Sequence, residues 1–122
     1  MTAQNKETAE TTTRNPCCES TAEHSLAEEE LAADVQTLTA MANATRYEAL
    51  RLIADEPDGR CVCELEPALG VSQGAVSQAL SRLYAAGLLT RRKEGRWRYY
   101  SATASAQRLL DTLDALREED DA

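Results

Sequence analysis

The stretch CVCELEPALGVSQGAVSQALSRLYAAGLLTRRKEGRWRYYS, residues 61–101, decides the fold of this 122-residue chain. Its first part predicts a short helix over 61–69, a turn at Gly70 and a second helix from Ser72 to about Ala86. Apolar residues recur at helical spacing in the second helix, which predicts a buried stripe of Val76, Leu80 and Leu83. Two helices joined by a short glycine-containing turn are typical of a helix-turn-helix.

The segments on either side complete a winged helix-turn-helix. Strand-like runs over 88–93 and 96–101, joined at Glu94-Gly95, predict a β-hairpin wing. Further helices are predicted over 25–42, with Ser25 as the expected cap, and over 43–55 and 103–118. The predicted fold class is mainly α with a β-hairpin wing. We expect a homodimer, because pairing adds buried surface that so small a core lacks.

Two regions of different composition divide the chain. Residues 1–24 contain almost no large apolar side chains, so we expect a disordered N-terminal tail that carries Cys17 and Cys18. Residues 25–119 form the predicted DNA-binding and dimerisation domain. No apolar run approaches the ~20 residues that span a bilayer, and the N-terminus has no signal-peptide core. We therefore expect a cytoplasmic protein without membrane contact.

The charge is distributed unevenly. The chain has a net charge of -8, which by itself argues against a nucleic-acid partner. Residues 71–100, however, contain six basic side chains and one acidic side chain, a local charge of +5. Such a basic patch in an acidic chain indicates a local surface for an anionic partner, and the predicted helix-turn-helix makes double-stranded DNA the candidate.

The residues expected to contact DNA lie on the second helix and on the wing. On the helix they are the polar residues that avoid the apolar stripe, together with its cap and one arginine: Ser72, Gln73, Gly74, Ser77, Gln78 and Arg82. On the wing they are the basic residues, which are expected to meet phosphates: Arg91, Arg92, Lys93, Arg96 and Arg98. The alternative interpretations are a polar surface helix and a hairpin edge protected by charge. We expect the wing aromatics to be structural.

Four cysteines in a reducing compartment favour metal binding over disulfides. On a regular helix the side chains of Cys61 and Cys63 would point about 200° apart, so they bind one ion only if the first turn is distorted. The helix start should also lower the pKa of these thiols. Two thiolates make an incomplete soft-metal site, which Cys17 and Cys18 could complete. The alternatives are buried, inert thiols and an incidental tail pair.

The segments MANATRYEALRLI (41–53) and 61–101 resemble the ArsR/SmtB family of metal-responsive repressors. The resemblance implies a homodimer that sits on operator DNA and releases it when a toxic metal or metalloid binds. This chain departs from the family pattern at Gln78-Ala79, where relatives often have Arg-His. The final helix contains no histidine, so the family's zinc site on that helix is absent.

The resemblance also bears on the inducer. Some arsenic sensors of the family have a third cysteine where this chain has Glu66, whereas others use an adjacent N-terminal cysteine pair like Cys17-Cys18. This favours As(III) or Sb(III) over Cd(II), Pb(II) or Zn(II), with no permanent cofactor. A repressor that senses thiol oxidation is a further alternative. An enzyme is not expected, since the chain has no C-x-x-C, phosphate loop or second histidine.

Overall fold

The computed structural model describes residues 21–121, with side chains through 119. The elements in chain order are α1 Glu28–Met41, α2 Ala44–Ala54, β1 Arg60–Cys61, α3 Val62–Leu69, α4 Gln73–Ala85, β2 Leu89–Glu94, β3 Trp97–Ala102 and α5 Ala104–Asp121. The prediction of a mainly α fold with a β-hairpin wing is confirmed. Cys17 and Cys18 lie outside the described residues.

Side-chain caps fix where the central helices begin. The Asn43 side chain accepts from the backbone N–H of Arg46 at 3.0 Å and caps α2, and Ser72 accepts from the N–H of Ala75 at 3.2 Å and caps α4. The expected cap at Ser25 is wrong. Helix α1 begins after Ala27, whose backbone N–H donates to Glu30 Oε1 at 2.8 Å, so the N3 glutamate supplies half of a capping box.

The hairpin is part of a three-stranded antiparallel sheet in the order β1-β3-β2. Its third strand, β1, pairs Arg60 with Tyr100 and Cys61 with Tyr99. This corrects the helix predicted over 61–69, which begins only at Val62. Cys61 has an extended backbone, φ −79° and ψ 147°, because it belongs to the sheet and precedes the helix.

The core lies where α2, α3, α4 and α5 meet the base of the wing. The predicted stripe of α4 is confirmed, since its three residues are fully buried. The largest fully buried side chains are Leu50, Ile53, Leu65, Val76, Leu80, Leu83, Leu88 and Leu110. An ion pair between Arg51 and Asp114, 2.8 Å long, ties α5 to α2 at the edge of this core.

The outer helices keep apolar side chains in solvent. Leu31, Val35 and Leu38 follow helical spacing on α1 and are 42%, 52% and 63% exposed. Leu116 on α5 is 51% exposed. Single exposed leucines are ordinary, but a regular exposed stripe on one helix is typical of an interface. None of the helices in the described part of the chain is both long and apolar enough to span a membrane.

Candidate metal and nucleic-acid site

The exposed polar face of α4 has two sides. Gln73, Ser77 and Ser81 border a groove between α4, the start of α3 and the wing. Gln78 and Arg82 border a smaller cavity against the start of α2. Gly74 lies open, because a Cβ added there would have only Ser72 Oγ near it, at 4.0 Å, so nothing obstructs a close approach to α4. Four of the predicted DNA-contacting side chains of α4 are therefore divided between two depressions, Gln73 and Ser77 on one and Gln78 and Arg82 on the other.

The groove on the wing side, which we name the thiol groove, has a volume of about 560 Å³. It brings together both described cysteines and four of the five predicted wing cations. Three polar residues of α4 also border it: the predicted contacts Gln73 and Ser77, and Ser81 one turn further along. It is lined by Cys61, Val62, Cys63, Glu66, Gln73, Ser77, Ser81, Arg91, Lys93, Arg96, Trp97, Arg98 and Tyr100. Cys61 and Cys63 thus share one surface with part of the candidate DNA contacts.

The two thiols lie side by side despite the angle that a regular helix would impose. Cys61 Sγ and Cys63 Sγ are 2.8 Å apart, and the backbone N–H of Cys63 donates to Cys61 Sγ at 3.4 Å. This arrangement is possible because Cys61 is the extended N-cap of α3, so only Cys63 follows the helical geometry. Cys61 is buried at 3% exposure, while Cys63 faces the solvent.

The Cys63 thiol keeps its proton more firmly than an ordinary cysteine. The pKa of Cys63 is raised above its ordinary value, chiefly because its S–H donates to Cys61 Sγ, and further by desolvation and by the electrostatic effect of Cys61 and Glu64. The expectation that the helix start lowers the pKa is wrong for Cys63. A metal ion that binds both sulfurs has to displace this proton.

Residues 58–61 are attached to the wing at several points. Besides the β1–β3 pairing, Gly59 adopts φ +87°, and a Cβ there would lie 2.5 Å from the carbonyl oxygen of Tyr100. Arg92 Nη1 donates to the carbonyl oxygen of Asp58 at 3.0 Å. The chain that leads into Cys61 is therefore attached to the wing.

The wing cations fall into two groups. Arg91 lies over the Tyr84 ring at 4.1 Å, and Arg96 lies over the Trp97 ring at 5.8 Å, both on the thiol groove. Arg92 is outside that groove. It pairs with Glu94 at 2.8 Å, which raises its pKa, and it stacks on Tyr99 at 4.9 Å. A DNA contact by Arg92 stays a prediction, and these contacts favour a structural role instead.

Trp97 is one of the wing aromatics that the sequence predicts to be structural. Its side chain is 49% exposed and lines the thiol groove. Residues of α2 that border α4, Thr45 and Arg46, were not among the predicted sites. No sequence signal marks them, because their position beside α4 arises from packing.

Among residues 21–119, no group of three or more His, Cys, Asp or Glu side chains could hold a metal ion. Cys61 and Cys63 therefore form at most part of a site there.

Comparison with known proteins shows that the chain is similar to transcriptional regulators. The family model described as "Bacterial regulatory protein, arsR family" matches residues 43–91, from the start of α2 into β2. A protein named "Putative arsenical resistance operon repressor ArsR2" from Halobacterium salinarum is 66% identical over 87 residues, which is 71% of this chain and 73% of that protein. A second protein from this organism, named "Putative arsenical resistance operon repressor ArsR", is 47% identical over 87 residues, which is 71% of this chain and 67% of that protein.

A solved structure extends the comparison to the fold. It is the homodimeric winged helix-turn-helix DNA-binding domain of a possible ArsR-family transcriptional regulator from Mycobacterium bovis. It matches with a TM-score of 0.68 and 27% identity, covering 74% of this chain and 82% of that chain. The shared architecture includes the helix-turn-helix of α3 and α4 and the wing.

Proposed function

Because the chain belongs to the ArsR family of winged helix-turn-helix transcriptional regulators, we propose that it is a cytoplasmic repressor that binds operator DNA as a homodimer and releases it when As(III) or Sb(III) binds its cysteine thiolates. The family resemblance read from 41–53 and 61–101 is confirmed. Members of this family bind DNA and regulate transcription, so the prediction that the chain is not an enzyme is also confirmed.

DNA binding is supported by the surface around α4. The helix exposes hydroxyl and amide groups, which can hydrogen-bond base edges in the major groove. Arg91, Lys93, Arg96 and Arg98 on the same groove supply positive charge for phosphates. This concentration of basic side chains gives a chain of net charge -8 one surface suited to a polyanion.

Dimerisation is supported by the exposed apolar stripe of α1 and by Leu116 of α5. A second copy would remove these side chains from water, at about 25 cal/mol of stabilisation per Å² of apolar surface buried. The Mycobacterium bovis relative is described as homodimeric. A dimer would also present two copies of α4 to two half-sites of an operator.

The effector is supported chiefly by one observation: Cys61 Sγ and Cys63 Sγ lie 2.8 Å apart on the groove that also holds four of the proposed DNA-contacting wing cations. Two sulfurs this close can bind a single soft ion. The relatives from Halobacterium salinarum are named arsenical resistance operon repressors. We assign the third sulfur ligand to the tail pair, Cys17 or Cys18, because As(III) prefers three thiolates.

The link from thiols to DNA runs through the wing. Cys61 is a residue of β1, which is hydrogen-bonded to β3, and Gly59 packs directly on Tyr100. When Cys61 and Cys63 adjust to an ion and to a further thiolate, residues 58–61 shift, and β3 shifts with them. The wing cations then leave the positions from which they contact phosphates, and DNA affinity falls.

The test is a titration of the reduced dimer bound to DNA from upstream of its own gene. As(III) and Sb(III) are expected to release the DNA at lower concentration than Cd(II), Pb(II) or Zn(II). The double variant Cys61→Ser/Cys63→Ser should bind DNA normally and ignore As(III), while Cys17→Ser/Cys18→Ser should respond only at higher concentration. Normal release from the Cys61/Cys63 double variant would refute the proposed site.

Other outcomes of the titration identify other signals. Release by Cd(II) or Pb(II) alone would replace the proposed inducer but keep the site. Release by peroxide, reversed by a thiol reductant and independent of metal, would replace metal sensing by redox sensing.

A further inference from the structure

The side of α4 that faces away from the wing carries a second basic depression. Here Gln78 and Arg82 of α4 meet Asn43, Thr45 and Arg46 of α2 around a cavity of about 240 Å³. We name it the α2 cavity. The rest of its lining is apolar, and no acidic side chain borders it. In a chain with 21 acidic residues, a cavity with two arginines and no carboxylate is suited to an anion.

The two arginines keep their charge available. Arg46 is positioned by backbone carbonyls, with its Nε donating to Ala40 at 2.7 Å and Nη2 donating to Thr39 at 3.0 Å. The four ion pairs found within residues 21–119 involve neither Arg46 nor Arg82. Carbonyl contacts hold a guanidinium in place without neutralising it, so Arg46 is preorganised for an anionic ligand.

The position of the α2 cavity relative to the wing indicates which anion it meets. A helix with its side chains is about 10–12 Å wide, close to the ~12 Å width of the major groove, so a helix in that groove lies between two phosphate backbones. The thiol groove places the wing cations on one side of α4. The α2 cavity occupies the other side, where the second backbone has to pass.

We infer that the α2 cavity binds a backbone phosphate of the DNA strand opposite the one held by the wing. Arg82 and Arg46 supply the charge, and the Thr45 hydroxyl and the Gln78 amide supply hydrogen-bond donors. The inference rests on the proposed DNA-binding function and adds a phosphodiester site to it. It makes Arg82 a positioning residue and not a reader of bases.

The experiment measures affinity of the full-length dimer for labelled duplex DNA from upstream of its gene, and for a scrambled duplex, across a range of KCl concentrations. Arg82→Gln removes one cation per protomer from an exposed site. Thr45→Glu places a carboxylate in the cavity while favouring the first turn of α2, so it should not harm folding. Arg117→Gln on α5, 61% exposed, removes the same charge far from α4 and serves as the matched control.

For Arg82→Gln we expect the slope of log K against log[KCl] to fall by about 0.9 for each phosphate that the protein no longer neutralises, hence by about two units per dimer. The decrease in affinity should be equal for the two duplexes. Thr45→Glu should weaken binding to both at least tenfold at low salt, and Arg117→Gln should leave slope and affinity unchanged.

An unchanged slope for Arg82→Gln together with near-normal binding by Thr45→Glu would overturn the inference. A decrease confined to the upstream duplex would also overturn it, because that result assigns Arg82 to base recognition. These outcomes leave the proposed function standing as long as the wild type binds DNA and releases it with As(III). Failure of the wild type to bind either duplex would refute both.

Discussion

Replacing Gly59, the residue before β1, by alanine should destabilise the protein more than the same replacement of Gly95 in the hairpin turn. At φ +87° a residue with a Cβ loses about 1–2 kcal/mol. The Cβ would also lie 2.5 Å from the Tyr100 carbonyl oxygen, so β1 would have to retreat by about 0.9 Å to reach ordinary contact at 3.4 Å. That displacement weakens the short β1–β3 pairing, at roughly 1 kcal/mol per hydrogen bond. We expect a total destabilisation of about 3 kcal/mol for Gly59→Ala.

The matched control is Gly95→Ala in the hairpin turn. Gly95 also has a positive φ, +63°, but nothing lies within 4 Å of its Cβ position, so only the conformational cost of about 1 kcal/mol should appear. Urea unfolding at one fixed protein concentration measures both variants. Because Gly59 positions Cys61, Gly59→Ala should also weaken As(III)-induced release of DNA. Equal destabilisation of the two variants would refute the close approach of Gly59 to β3.

Four further outcomes are expected. Arsenite binding should release no net proton, because As(OH)₃ and three thiols give As(SR)₃ and three waters. Cd(II) should instead displace about one proton per thiol. Calorimetry in buffers of different ionisation enthalpy measures the number of protons released in each case. Arg51 lowers the pKa of Asp114, chiefly through their hydrogen bond. This pair should therefore stabilise the fold fully above about pH 3.9, and progressively less as the pH falls through the lowered pKa of Asp114. Unfolding curves recorded in acid should show that the stability advantage of the wild type over Asp114→Asn vanishes. Arg91→Gln should lower the salt slope of DNA binding by about 0.9 per phosphate, while Arg92→Gln should leave the slope unchanged and lower the thermal stability. Leu38→Glu should shift the dimer toward monomer in sedimentation experiments, since that side chain is 63% exposed in one chain.

The helices and the hairpin were predictable because they depend on local signals. Asn43 and Ser72 are strong caps, and the α4 stripe follows a helical period, so the structure has those elements where the sequence places them. The strand β1 was not predictable. It has two residues, Arg60 and Cys61, and exists only through its pairing with β3, which no local pattern reports.

The candidate site was predictable as a set of residues but not as a geometry. The Cys61–Cys63 pair was expected to need a distorted helix, and the actual solution is that Cys61 lies before the helix. The sequence predicts a lowered pKa for Cys63, whereas the pKa is raised, because the hydrogen bond to the sulfur of Cys61 outweighs the effect of the helix start. Thr45 and Arg46 were missed because only tertiary packing brings α2 beside α4.

The position of Trp97 makes it an intrinsic fluorescence probe of the thiol groove. It is the one tryptophan of the chain, it is about half exposed, and it lines the groove that holds both thiols and the wing cations. Indole emission should therefore change when sulfur ligands close on an ion and again when the duplex departs. Rapid-mixing traces on unlabelled protein can give the order of those two events, and with it whether the effector enters while DNA is still bound.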